Sequence, residues 1–206
     1  RRQLATVAAA ASLVAYVFGV WTPAFRTTAG IAKSQRAISA GRVDLAHAAL
    51  EAAARGDRLS PIAPNFNGRL YLQRASQTPG ESAVLLEHAA RCFHEAVERS
   101  PADYKNYEKL GMVYRQAGKR QEAYDWYLKA AGLYPGNERL WFELGQLAEQ
   151  MKQPQIALGH YQKAVEIEDR YRAQFRTMYP KRKSIISRLG EREYRLAQER
   201  IAVLQN

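Results

Sequence analysis

Between Tyr104 and Glu168 two segments repeat at one fixed spacing, and this constrains the fold more than any other feature of the chain. Leu110 and Gly111 recur as Leu144 and Gly145, while Ala123, Tyr127 and Ala130 recur as Ala157, Tyr161 and Ala164. The offset is about 34 residues, the length of one helix–turn–helix unit in a stacked array. Each residue type has a physical reason to stand where it does. Gly or Ala lets two helices of a hairpin approach closely, a large aromatic fills the groove between neighbouring hairpins, and Pro135 ends a second helix because it has no N–H to donate. Tyr107 and Trp141 hold the bulky first anchor of each unit, and Tyr114 is an aromatic of the first helix.

These residues together resemble the tetratricopeptide repeat. The resemblance implies an all-α solenoid of helical hairpins, with complete units over 104–135 and 138–169. In that family the inner surface is formed by the first helix of each hairpin. By position it corresponds here to Lys105, Glu108, Met112 and Arg115 in one unit and to Arg139, Phe142, Gln146 and Glu149 in the next. Mixed charge with an exposed Met112 and Phe142 suits an extended or helical peptide segment, so a protein partner is expected in this groove. The chaperone-binding carboxylate clamp wants Lys and Asn where Glu108 and Met112 stand, so a chaperone tail is not the expected ligand.

Two weaker units precede these. Over 27–60, Ile31, Ala32, Gln35 and Ile38 recur at helical spacing, Ala40 and Gly41 break the run, and Ala46, Leu50 and Ala53 resume it before Pro61, giving a degenerate hairpin. Over 61–101, Ala89, Phe93, Ala96 and Pro101 fit a second helix, with Asn67 and Gly68 at the Leu-Gly position. The distance between these halves is too long for the repeat. The first helix is expected to extend through Tyr71, Leu72 and Ala75, with a longer loop at Pro79-Gly80 projecting from one edge. Beyond 169 the repeat's Pro is absent, Tyr171, Phe175 and Met178 carry on as a buried helix face, and periodicity after Pro180 (Ile185, Ile186, Leu189, Leu196, Ile201, Leu204) predicts capping helices over 170–206.

Residues 1–26 read as a membrane anchor. Leu4 to Phe25 carries no charge and is long enough for a helix across a bilayer, with Tyr16, Phe18, Trp21 and Phe25 gathered at the second end. A cleaved signal and an Ala-rich buried helix are the alternatives. Arg1 and Arg2 flank one end, while Arg26, Lys33, Arg36 and Arg42 follow the other, so the local count points against the chain's first end and does not settle the side. The chain opens on Arg instead of Met, so a removed signal or a longer polypeptide is expected upstream.

Little else suggests chemistry. There is no Gly-rich phosphate loop, nucleophile elbow or paired-Cys motif. His88 and Cys92 share a helix face at i,i+4, but two ligands make no metal site, and His47, His94 and His160 have no constellation. Glu166, Glu168 and Asp169 beside Arg170 and Arg172 read as an acidic helix end. No catalytic residue, cofactor or metal is expected. The single Cys92 leaves the redox compartment open. A formal charge of +11 matters only where it clusters, and it does so in the run "RYRAQFRTMYPKRKS". There Lys181, Arg182 and Lys183 could meet lipid headgroups, whereas nucleic acid is not an expected partner.

The whole chain also resembles the carboxy-terminal extension of bacterial O-antigen-ligase-like membrane proteins. The likeness lies in the apolar span ending "VWTPAFRTTAG", then "LSPIAPNFNGRLYLQRA", "ADYKNYEKLGMVY" and a closing "RYRAQFRTMYP". It implies a bacterial envelope setting, with a glycan ligase upstream. The expected location is the bacterial inner membrane, crossed once, with the repeats extracytoplasmic. Two functions remain open: a membrane-anchored scaffold without chemistry of its own, and the accessory module of such a ligase.

Overall fold

The computed structural model describes residues 2–182 and 184–205. Arg1 and Lys183, to which the sequence assigned flanking and headgroup-facing charges, lie outside the described residues. The described residues are mostly helical, and the chain divides into two compact units, Arg1–Pro101 and Ala102–Asn206.

The first unit begins with α1 (Arg2–Tyr16), a π-helical stretch (Val17–Trp21) and α2 (Thr22–Ser39), joined without a break. Pro23 explains the π stretch. It cannot donate to the ladder, and the Thr22 N–H turns to the Val17 carbonyl while the Thr22 hydroxyl donates to Val17 O at 2.8 Å and Phe18 O at 3.0 Å. From Val7 to Phe25 none of the described side chains is buried, which speaks against a buried Ala-rich core helix.

Two hairpins complete the unit: α2 with α3 (Val43–Gly56), and α4 (Ile62–Gln77) with α5 (Ser82–Arg99). Gly41, at φ 69°, closes α2 in the left-handed conformation that glycine adopts without penalty. The surplus length of the second hairpin is helix, not a projecting loop. α4 continues from Gly68 to Gln77 and α5 starts well before Phe93, which adds about one turn to each helix, and Pro79–Glu81 forms only a short 3-10 turn between them.

In the second unit, α6 (Tyr104–Gln116) pairs with α7 (Arg120–Leu133), and α8 (Glu138–Gln150) with α9 (Pro154–Met178). Both first helices are capped at the repeat interval: the Asp103 carboxylate accepts from Lys105 N, and Asn137 Oδ1 accepts from Arg139 N and Leu140 N. Gly118 ends α6 at φ 74°, and its counterpart after α8, Lys152, holds the same left-handed conformation at φ 60°. The hairpin interiors obey one rule. A Cβ on Gly111 would lie 2.8 Å from the Tyr127 ring, one on Gly145 would lie 2.7 Å from Tyr161, and in the first unit one on Gly68 would lie 2.9 Å from Phe93.

The carboxy-terminal cap differs from the sequence expectation. α9 runs unbroken across residue 170 to Met178, and the segment holding Ile185, Ile186 and Leu189 is not helical; helix resumes only in α10 (Glu191–Leu204). Phe175 is buried, but Tyr171 is half-buried and Met178 exposed, so the expected apolar face of the cap is carried by one residue of the three. What fixes the non-helical segment is polar. Glu168, fully buried, accepts from Arg172 Nε at 2.8 Å and from the backbone N–H groups of Arg188 and Leu189 at 3.2 Å each, which seats the Leu189 side chain in the core with Ala197, Tyr161 and Phe142.

Candidate functional site

The expected groove residues stand on α6 and α8, whose edges meet through an ion pair between Arg115 and Glu143. α10 extends the row on the far side of α8, where Arg200 pairs with Glu149. The structure sorts the eight residues by what they have left to offer. Lys105 and Arg139 are exposed, and Glu108 and Gln146 are half-exposed. Met112 is half-buried against the aromatic and leucine core of the unit, and its sulfur lies 3.5 Å from Lys109 Nζ.

Phe142 is not exposed. It is 4% accessible, lies in the core with Tyr161 at a ring distance of 5.8 Å, and is covered by Leu189 and Ala197 of the cap. Glu149 is also committed to the cap. Burial would raise its carboxyl, but hydrogen bonds from Arg200 and from Tyr161 Oη (2.8 Å) outweigh that and hold its pKa below the usual carboxylate value.

Sequence reasoning passed over Glu143, which is central to this face. Burial raises its pKa, and the guanidinium groups of Arg115 and Arg139 oppose that rise. Spacing within α8 does not reveal it, because its weight in this face comes from Arg115, on another helix and far away in sequence.

The basic run is split by internal pairing. Arg170 and Arg172 are taken by Glu166 and Glu168, and Arg172 also reaches Glu191 at 2.8 Å. Lys181 and Arg182 remain exposed.

In the first unit a recess of about 270 Å³ opens among α3, α4 and α5, lined in part by Asn67, Tyr71, His88, Arg91 and Cys92. His47, Tyr71 and His88 stack in series at 3.7 and 4.9 Å, and His47 Nδ1 lies 2.6 Å from Asn67 Oδ1. Burial pushes the Cys92 thiol up to about 12, so it is no nucleophile near neutral pH. Among the described residues, no three His, Cys, Asp or Glu side chains gather where they could hold a metal ion.

Capped antiparallel hairpins, closed at a Gly–aromatic contact and stacked with the second helix of one on the first helix of the next, as α7 on α8, define an α-solenoid repeat. Residues 104–137 and 138–171 match the tetratricopeptide repeat family model. Among solved structures the chain is similar to a crystal structure of MamA (20% identity, TM-score 0.61, covering 71% of this chain and 81% of that one). It is also similar to a second MamA crystal structure (17%, 0.60, 87% and 90%) and to MamA 41-end from Desulfovibrio magneticus RS-1 (16%, 0.58, 87% and 93%). These likenesses show a shared helical-repeat fold. No curated protein sequence matches the chain.

Proposed function

We propose that this chain is a membrane-anchored scaffold of the bacterial envelope, which binds a protein segment on the face shared by α6 and α8 and does so without catalysis. The observation that carries this reading is the combination of two complete tetratricopeptide repeats with an apolar helix whose side chains are left unburied. The helix anchors the chain in the inner membrane, crossed once, with the repeats extracytoplasmic. Lys105, Arg115 and Arg139 bias the face toward an acidic segment, with Glu108 and Gln146 at its edge. The burial of Phe142 removes it from the ligand contacts and makes it a support of the face.

The test of the groove uses exposed residues only. A partner is first captured from envelope extract. Lys105→Glu combined with Arg139→Glu is then expected to weaken binding by at least about tenfold, roughly 1.4 kcal/mol, while the helical circular dichroism stays at the parent level. Parent affinity in this double variant would refute the assignment.

The anchor is tested separately. The chain is expected to stay with the membrane after carbonate extraction, and deletion of residues 4–25 to yield a soluble protein. Recovery of the intact chain in the soluble fraction would remove the anchor from the proposal.

A second reading, the accessory module of an O-antigen-ligase-like glycan ligase, is favoured by the way the apolar helix runs directly into the first hairpin without a linker. Further apolar spans in the upstream reading frame would support it, and a start codon just before Arg1 would favour the stand-alone scaffold.

A further inference from the structure

The turn between α3 and α4 sits at the end of the first unit where the apolar helix emerges. α2 and α3 are antiparallel, so the carboxyl end of α3 returns to the level of Arg26 and Thr27. Thr27 Oγ1 donates to Asp57 Oδ2 at 3.1 Å, and a Cβ on Gly56 would meet Arg26 Cδ at 3.2 Å. Just before Arg26, the exposed rings of Trp21 and Phe25 stack at 5.6 Å, marking where the uncharged run gives way to charge.

The turn is held firmly. Asp57 Oδ1 accepts from the backbone N–H groups of Leu59 and Ser60 at 3.1 Å each, while Arg99 donates to the carbonyls of Ala54, Asp57 and Ser60. This fixed turn nevertheless presents its apolar side chains outward. Leu59 is 81% exposed, Ile62 48% and Phe66 36%, and Arg69 lies over the Phe66 ring at 5.6 Å. A rigid turn that exposes leucine and isoleucine beside arginines has the composition of an interfacial membrane contact, with apolar groups for the acyl boundary and cations for headgroup phosphates.

We propose that Leu59, Ile62 and Phe66 dip into the headgroup–acyl boundary of the same bilayer that holds the apolar helix, with Arg26, Arg58 and Arg69 on anionic headgroups. The proposal rests on the membrane-anchor reading. Its consequence is mechanical. A single span leaves the domain free to tilt, whereas a second contact beside it sets the first unit at a fixed angle to the surface.

The experiment places a nitroxide on the full chain in phosphatidylcholine–phosphatidylglycerol vesicles, in a Cys92→Ser background. The label is carried in turn on Leu59→Cys, on Val14→Cys within the span, and on Gly80→Cys at the opposite end of the α4–α5 hairpin. Collision with oxygen reports the acyl region, and collision with a water-soluble nickel chelate reports the aqueous phase. The labels at positions 59 and 14 are expected to favour oxygen, and the label at 80 to favour nickel. A position-59 label in water with the position-14 label in the acyl region overturns this inference and leaves the anchor standing. Both labels in water overturn the anchor and the inference together. A position-59 label shielded from both reagents means that protein covers the turn, which also overturns it.

Discussion

Gly145→Leu should lower the unfolding midpoint of the second unit by roughly 12–24 °C. The magnitude follows from geometry. The first added carbon would already lie 2.7 Å from the Tyr161 ring, which is itself buried to 1% exposure and tied through its hydroxyl to Glu149. Neither side can yield cheaply, so the substitution belongs at the upper end of the overpacking range, about 3 kcal/mol. For a unit of about 100 residues, each kcal/mol moves the midpoint by roughly 4–8 °C. Gly159→Leu provides the opposite expectation in the same hairpin. Nothing lies within 4 Å of a Cβ there, so replacing a mid-helix glycine should leave stability unchanged or raise it by up to about 1 kcal/mol. Combined with Tyr161→Ala, Gly145→Leu should cost less than the sum of the two single changes, because the added side chain fills space that the ring vacates. Equal midpoints for Gly145→Leu and Gly159→Leu in thermal denaturation would defeat this account of the hairpin.

The same contact explains why the repeats were legible in the sequence. A glycine facing a ring is a local pair, repeated at a fixed interval, and needs no knowledge of distant parts of the chain. It held even where the interval failed. Gly68 still meets Phe93 although extra helical turns separate them, so the residue types carried the signal that the spacing had lost. The Pro79-Gly80 pair was read as the site of a loop because turn residues announce a reversal but not how long the flanking helices run before it.

Burial on the α8 face was not legible. Whether Phe142 is a ligand anchor or a core residue depends on α10, which packs over it from more than 40 residues away in sequence, and on a segment around Leu189 that carries apolar residues without any helix. Periodicity assigned Ile185, Ile186 and Leu189 to a helix because it sees spacing and not backbone partners. Glu168 shows the same limit. An acid beside Arg170 and Arg172 reads as a solvated helix end, and only the fold reveals that its second oxygen meets two backbone N–H groups in the interior.

Removing that carboxylate should therefore release the cap before it melts the repeats. In Glu168→Ala the N–H groups of Arg188 and Leu189 lose their acceptor, Arg172 loses its buried partner, and the fully buried Leu189 loses the backbone bond that seats it. This costs about 3 kcal/mol, the lower end of the range for a broken buried pair, because the two backbone N–H groups remain desolvated and unpaired while Arg172 keeps Glu191. Glu168→Gln should cost less, since its amide oxygen can still accept from the two backbone groups while only the charge against Arg172 is lost. Hydrogen exchange separates a local from a global effect. In Glu168→Ala the amides of Leu189 and α10 should lose protection, and those of α6 and α7 should keep it, because α10 packs on α9 while the Tyr127 core lies in the preceding hairpin. Loss of α10 would also uncover Phe142 and free Glu149 from Arg200, changing the proposed partner face through a residue outside it. If Glu168→Ala unfolds at the parent midpoint with α10 still protected, the cap is held by its apolar contacts alone, and the buried carboxylate has no structural role in closing the array.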